Sequence, residues 1–162
     1  MDVNIEQESV KKGKVKVGDQ APDFRLLSSA GTWVSLSDYL DKKFVVLYFY
    51  PRDETPGCTV EACMFRNNYQ LLKDEGAEVI GISSDDEAAH QRFKEKHNLP
   101  FLLLSDKGGA VRKLYGVARS FWLLPGRVTY IIDRAGIVRR IYSSQFLPEK
   151  HIAEALKALR SL

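Results

Sequence analysis

A chain of 162 residues is long enough to bury a core without staples, and its apolar (44%), charged (28%) and aromatic (10%) fractions are those of an ordinary globular protein. The net charge of +3, with Lys and Arg interspersed among Asp and Glu, reads as a solvated surface; the clusters Lys11-Lys12-Gly13-Lys14 and Arg139-Arg140 are too short to argue for nucleic-acid binding. No apolar run approaches the roughly 20 residues of a membrane helix, and two cysteines are too few for a disulfide-stapled secreted scaffold.

Met1 to Val10 is polar, lacking both the apolar core of a signal peptide and the Arg/Ser bias of a transit peptide, and residues 1–14 read as a flexible leader. Residues 15–162 read as one domain without linker or repeat. Val15 to Leu27 ends in a short extended segment. Trp33 to Leu36 follows a Gly31 turn and leads into a short helix near Ser37-Asp38. Phe44 to Tyr50 is a continuous apolar, β-rich run, as expected of a strand covered on both faces. Thr59 to Glu75 reads as a helix, and Glu78 to Ile82 as a second buried strand. Asp85 or Asp86 caps a helix reaching about Lys96, Phe101 to Leu104 forms a third strand, and a helix lies near Ala110 to Tyr115. Arg127 to Ile132 and Ile137 to Tyr142 flank the turn Asp133-Arg134-Ala135-Gly136 as a hairpin, and Pro148 opens a C-terminal helix. Alternating strands and helices closed by a hairpin and a helix predict an α/β fold with a mixed central sheet flanked by helices, a thioredoxin-like pattern.

The chemistry is concentrated in Pro51 to Cys63, where a buried strand runs into a helix, the end of an α/β sheet at which ligands bind. Pro51 ends the ladder because it has no N–H to donate. Pro56 biases Thr55 towards extended backbone, which can turn its hydroxyl back to the loop. Gly57 lets backbone and a small substrate approach the next residue, Cys58, which falls in the first helical turn. Unpaired N–H groups and the helix dipole favour a thiolate there, and the thiolate is the nucleophilic form of cysteine. Keeping a thiol ionised at neutral pH takes roughly 2.7 kcal/mol. The dipole supplies only about 0.3–1 kcal/mol. A second positive group is therefore expected, and an arginine suits the role best because it stays charged and presents a fork of donors.

Cys63 lies five positions on. In an ideal helix that spacing puts the Cα atoms roughly 8.7 Å apart, beyond the about 4.4–6.8 Å of a disulfide. If both lie on one helix, they can bond only after its first turns unwind. The competing reading is that one or both cysteines merely pack in a core. His90, His97 and His151 are scattered, show no zinc-ligand spacing with the cysteines, and read as surface residues; no base for a Cys/His hydrolase is nominated.

Pro51-x-x-x-Thr55-x-x-Cys58 matches the active-site signature of peroxiredoxins, and the run Phe49 to Thr59 with Cys63 resembles the peroxiredoxin Q (bacterioferritin comigratory protein) subfamily. The similarity extends over residues 15–162, through Gly81-Ile82-Ser83, Leu103-Leu104-Ser105-Asp106, Pro125-Gly126-Arg127, Gln145-Phe146 and Pro148-Glu149-Lys150-His151. The resemblance implies that Cys58 is the peroxidatic cysteine and Cys63 the resolving one, joined in an intramolecular disulfide. It implies that Thr55 hydrogen-bonds the sulfur and the substrate oxygen, that Pro51 shields the pocket, and that Arg127 is the arginine the charge argument requires. Leu123-Leu124-Pro125 would shape the pocket mouth. The implied activity is reduction of hydrogen peroxide and organic hydroperoxides without metal or organic cofactor, with thioredoxin or a similar dithiol as reductant, in a monomer. The stretch Tyr142 to Phe146 is similar to photosynthetic members, which points to a chloroplast or to a bacterial cytoplasm.

Overall fold

The computed structural model describes residues 14–117, 119–120, 124–125, 127–144 and 147–162. The leader expected over residues 1–14 falls outside this set except for Lys14, as do Leu123, Gly126, Gln145 and Phe146.

The apolar run of the sequence becomes β3 (Phe44–Phe49), whose side chains alternate between two cores. Val45, Leu47 and Phe49 enter one, and Val46, Tyr48 and the following Tyr50 enter the other. Burial on both faces is the reason the run is continuous rather than alternating. Around it stand β1 (Arg25–Ser28), β2 (Trp33–Ser35), β4 (Ala77–Ser83), β5 (Leu102–Ser105), β8 (Val128–Ile132) and β9 (Val138–Ser143). Together they form a mixed seven-stranded sheet in the order β2-β1-β5-β4-β3-β8-β9. The centre, β3-β4-β5, is parallel, and every other pairing is antiparallel. A separate short pair, β6 (Arg119–Ser120) and β7 (Leu124–Pro125), was not anticipated by the hydrophobic pattern because two-residue strands carry no periodicity.

Helices α1 (Pro56–Asn67), α2 (Tyr69–Asp74), α3 (Glu87–His97) and α5 (Pro148–Arg160) cover one face, and α4 (Ala110–Tyr115) lies on the other. The single helix expected over Thr59 to Glu75 is broken at Asn68, whose backbone (φ −107°, ψ 7°) is not helical. Asp86 caps α3 by accepting from the Ala89 amide at 2.7 Å. Among the described residues no helix is long and apolar enough to cross a membrane.

Candidate active site

The site grows from the end of β3. Pro51, half-buried, ends the strand. Asp53 is then tied into the protein on every side. Its Oδ1 accepts from the Tyr50 hydroxyl at 2.6 Å, its Oδ2 is hydrogen-bonded to His90 Nδ1 at 2.6 Å, and its amide donates to Asp85 Oδ2 at 2.8 Å. His90 Nε2 donates to the Leu104 carbonyl at 3.1 Å, and Ser83 donates to Asp85 at 2.7 Å. The ligand-type atoms of Asp53, Asp85 and His90 lie within 4.8 Å of one another; Asp53 meets His90 directly, and the Asp85 carboxylate accepts from the Asp53 amide and the Ser83 hydroxyl. Glu54, next along, sits at φ 61°, a left-handed conformation unfavourable for a residue with a side chain. Beyond it Thr55 takes extended backbone and caps α1, with Pro56 at the first helical position. The Thr55 hydroxyl turns back to donate to the Arg52 carbonyl at 3.0 Å, and among the described residues no hydrogen bond joins it to Cys58.

Cys58 lies in the first turn of α1, beside helix N–H groups that have no intrahelical partner, and is 1% exposed. Arg127, just ahead of β8, reaches it: Nη2 donates to Cys58 Sγ at 3.3 Å. Gly57 eases the approach, since a Cβ there would lie 3.1 Å from Arg127 Nη2 and the guanidinium would have to give by a few tenths of an ångström. The other arm of the guanidinium, Nη1, donates to Glu61 Oε1 at 2.7 Å. One buried cation therefore serves two acids on one face of α1. Burial opposes the guanidinium's charge, while Glu61 and Cys58 hold its pKa above the ordinary value. Burial also pushes the Glu61 carboxyl up to about 7 although Arg127 pulls it down. Glu61 Oε2 has no hydrogen-bond partner among the described residues.

Two further groups pack around this cluster. Tyr48 of β3 stacks on Phe65 of α1 at 4.6 Å, and its buried hydroxyl lacks a partner among the described residues. Tyr48 fits only because residue 81 is glycine, where a Cβ would lie 2.8 Å from the ring carbon Cζ. His151 of α5 donates through Nε2 to the Ser144 carbonyl at 2.9 Å, so its Nδ1 accepts from Thr129 Oγ1 at 2.7 Å. Burial lowers the His151 pKa to about 4. Its Nδ1 is 3.7 Å from Glu61 Oε2. Between about pH 4 and 7 both groups are neutral, so the contact is not an ion pair.

Cys63, on the same unbroken α1, is half-buried and free.

A family model, the AhpC/TSA family, matches residues 17–141. The chain belongs to this family. The chloroplastic peroxiredoxin Q of Oryza sativa subsp. japonica is 57% identical over 93% of the chain and 69% of the relative. The peroxidoxin BcpB of Mycobacterium tuberculosis superposes with a TM-score of 0.85 at 37% identity, covering 91% of this chain and 98% of that one. The bacterioferritin comigratory protein of Xanthomonas campestris, described for its alkyl peroxide reduction activity, gives a TM-score of 0.79 at 27% identity over 91% and 96% of the two chains. The chain is thus a thiol peroxidase of the peroxiredoxin Q type, with a thioredoxin-like fold.

The structure brings Cys58 and Arg127 into contact, with Pro51 and Thr55 in the loop that leads to them. It corrects the reading of the histidines. His90 and His151 are fully buried rather than on the surface, because each finds polar partners inside, and only His97 is partly exposed. Glu61 was missed as well. The signal was available in the sequence: Cys58, Glu61, Ala62 and Phe65 follow helical spacing, which puts a carboxylate on the buried face of this member of the family.

Glu61 and His151 make opposite contributions to acid stability. A carboxyl raised from 4.5 to about 7 on folding stabilises fully below pH 4.5, and this is lost as pH rises to 7. A histidine lowered from 6.5 to about 4 stabilises fully above pH 6.5, and this is lost as pH falls to 4. In the window they share, from 4.5 to 6.5, folding moves one proton on and one off, and the two slopes cancel. Glu61→Gln is expected to unmask the histidine alone. Its unfolding free energy, measured by denaturant titration, should fall with acidification, by up to about 3 kcal/mol between pH 6.5 and 4, while the parent stays nearly flat.

Proposed function

We propose that this thiol peroxidase reduces hydrogen peroxide and organic hydroperoxides by a two-cysteine cycle contained in one chain. The Cys58 thiolate attacks one peroxide oxygen, the O–O bond breaks, and the departing oxygen takes a proton to leave as water or an alcohol. The sulfur is left as sulfenic acid. The hydrogen bond from Arg127 Nη2 to Cys58 Sγ, 3.3 Å at the N-terminus of a helix, supports this reading most directly. It stabilises the thiolate before attack and faces the charge that develops as the O–O bond opens. The Thr55 hydroxyl donates its hydrogen bond to the Arg52 carbonyl, so its oxygen is free to accept one from a hydroperoxide. Pro51 would limit access of water to the pocket.

Cys63 then attacks the Cys58 sulfur, water leaves, and an intramolecular disulfide forms. Both residues lie within α1 (Pro56–Asn67). A regular helix separates them by roughly 8.7 Å, so closure requires the first turns to unwind. A dithiol protein such as thioredoxin reduces the disulfide by exchange. The cycle runs in a monomer, in a chloroplast if the chain is from a plant or alga and in the cytoplasm if it is bacterial, without metal or organic cofactor.

The test is Cys63→Ser. Treated with one equivalent of peroxide, it should accumulate a dimedone-trappable sulfenic acid on Cys58 by mass spectrometry, whereas the parent yields a Cys58–Cys63 disulfide that thioredoxin reduces. A parent that oxidises once and is never turned over by any dithiol protein would reduce the chain to a redox sensor. A disulfide formed with no consumption of peroxide would make it a thiol–disulfide oxidoreductase.

A further inference from the structure

Arg127 is the cation that touches both Cys58 and Glu61, and all three side chains are buried, at 3% exposure or less. A thiolate and a carboxylate together would leave one negative charge in excess away from water, which costs several kcal/mol. The groups facing Glu61 from other elements do not relieve it. Tyr48 on β3 stays a neutral phenol, its pKa pushed well above the ordinary value by burial and then by Glu61 and Cys58. Thr129 on β8 is neutral and donates to His151. His151 on α5 holds its single proton on Nε2, away from Glu61. Oε2 of Glu61 is bare among the described residues, a position far worse for a carboxylate oxygen than for a protonated carboxyl.

We propose that Cys58 and Glu61 share one proton across Arg127, with the reduced enzyme keeping it on Glu61 while Cys58 is a thiolate, and Glu61 releasing it when Cys58 is oxidised. The inference deepens the peroxidase reading and rests on it. The step balances. The thiolate sulfur gives two electrons to the peroxide, a sulfur–oxygen bond replaces the O–O bond, and one proton goes onto the departing oxygen as one leaves Glu61. The products are neutral sulfenic acid, water or alcohol, and a Glu61 carboxylate that now has the guanidinium to itself. The site holds one anion beside the guanidinium before and after. Burial of Glu61, which raises its carboxyl to about 7, agrees with a proton held there at neutral pH. Glu61 does not touch the reacting atoms in this scheme and is a positioning residue that acts through Arg127.

Infrared difference spectroscopy on Cys63→Ser, reduced against oxidised with one equivalent of hydrogen peroxide at pH 6.5, tests this directly. The expected result is loss of one protonated-carboxyl C=O band, shifted in D2O, in step with the sulfenic acid counted by mass spectrometry. The band should be absent from Cys63→Ser/Glu61→Gln. In weak buffer with a pH indicator, the Glu61-containing protein should draw close to no proton from solvent per sulfenic acid, and the glutamine variant one. Sulfenic acid formed with no carboxyl band lost, or one proton taken up in both proteins, overturns the inference and leaves the peroxidase reading standing. No sulfenic acid at all overturns the peroxidase reading and the inference with it. The infrared arm needs no substitution at Glu61, so a glutamine variant that failed to fold would not rescue the idea.

Discussion

Cys58→Ser is expected to reduce peroxide consumption to the uncatalysed background while the protein remains folded. Serine has nearly the volume of cysteine, and its hydroxyl can still accept from Arg127, whose Nη2 lies 3.3 Å from the sulfur. The cavity is therefore unchanged and the thermal midpoint should move little. The chemistry fails for two reasons. A serine hydroxyl is not ionised by one guanidinium and a helix terminus. Attack by oxygen would also build a new O–O bond in place of the one it breaks, with none of the driving force that sulfur oxidation provides. Stopped-flow peroxide consumption in a thioredoxin-coupled assay, beside a circular dichroism melt, separates lost chemistry from lost structure. Full turnover by the folded serine variant would remove Cys58 from the mechanism.

Arg127→Gln should be the second most damaging change, and it should act on rate and stability separately. Removing one preorganised donor from a developing charge costs roughly 10²–10³-fold in rate. Removing one partner of a buried ion pair costs about 3–5 kcal/mol, because the other is left uncompensated. Glu61 can escape part of that cost by keeping a proton, since its carboxyl already sits near 7. The stability loss should thus fall at the low end and grow as pH rises above 7. Adding Glu61→Gln should return much of the stability at high pH and none of the rate. If the double variant regained peroxide reduction, Arg127 would be a structural counter-ion only.

How much of this was legible beforehand depends on whether a residue's task is local. Strand β3 could be read because burial on both faces leaves an unbroken apolar run, and the helix starts at the cap Asp86 and at Pro148 because helix ends have chemical preferences. Cys58 was legible for the same reason: Pro51, Pro56 and Gly57 mark a strand-to-helix junction within a few residues of it. The break at Asn68 was not, since one non-helical residue between two helical stretches leaves the spacing of apolar positions nearly intact. The buried polar groups were the least legible. Glu61 and His151 lie 90 positions apart, and His90 meets Asp53 across 37. A charged or titratable residue reads as surface unless its partners are known, and those partners arrive only with the fold. Arg127 stands in between: a thiolate at a helix terminus lacks a second positive charge, and the resemblance offers an arginine where a strand begins.

The loop ahead of α1 places a fixed point directly beside a stressed one. Asp53 is locked to Tyr50, Asp85 and His90, while Glu54 is held at φ 61°. A left-handed non-glycine residue stores of order 1–3 kcal/mol. That energy is released if everything from Glu54 onward lets go, and it cannot pull on anything before Asp53. On the proposed cycle the chain thus carries a spring with a fixed seat, loaded against the helix that must open for Cys63 to reach Cys58. Its strength sets a race. A stiffer seat holds the oxidised sulfur in its pocket longer, within reach of a second peroxide and irreversible sulfinic acid. A softer one commits it sooner to the disulfide. Tolerance of oxidant excess is in this sense a mechanical property of the loop ahead of the helix rather than of the sulfur itself.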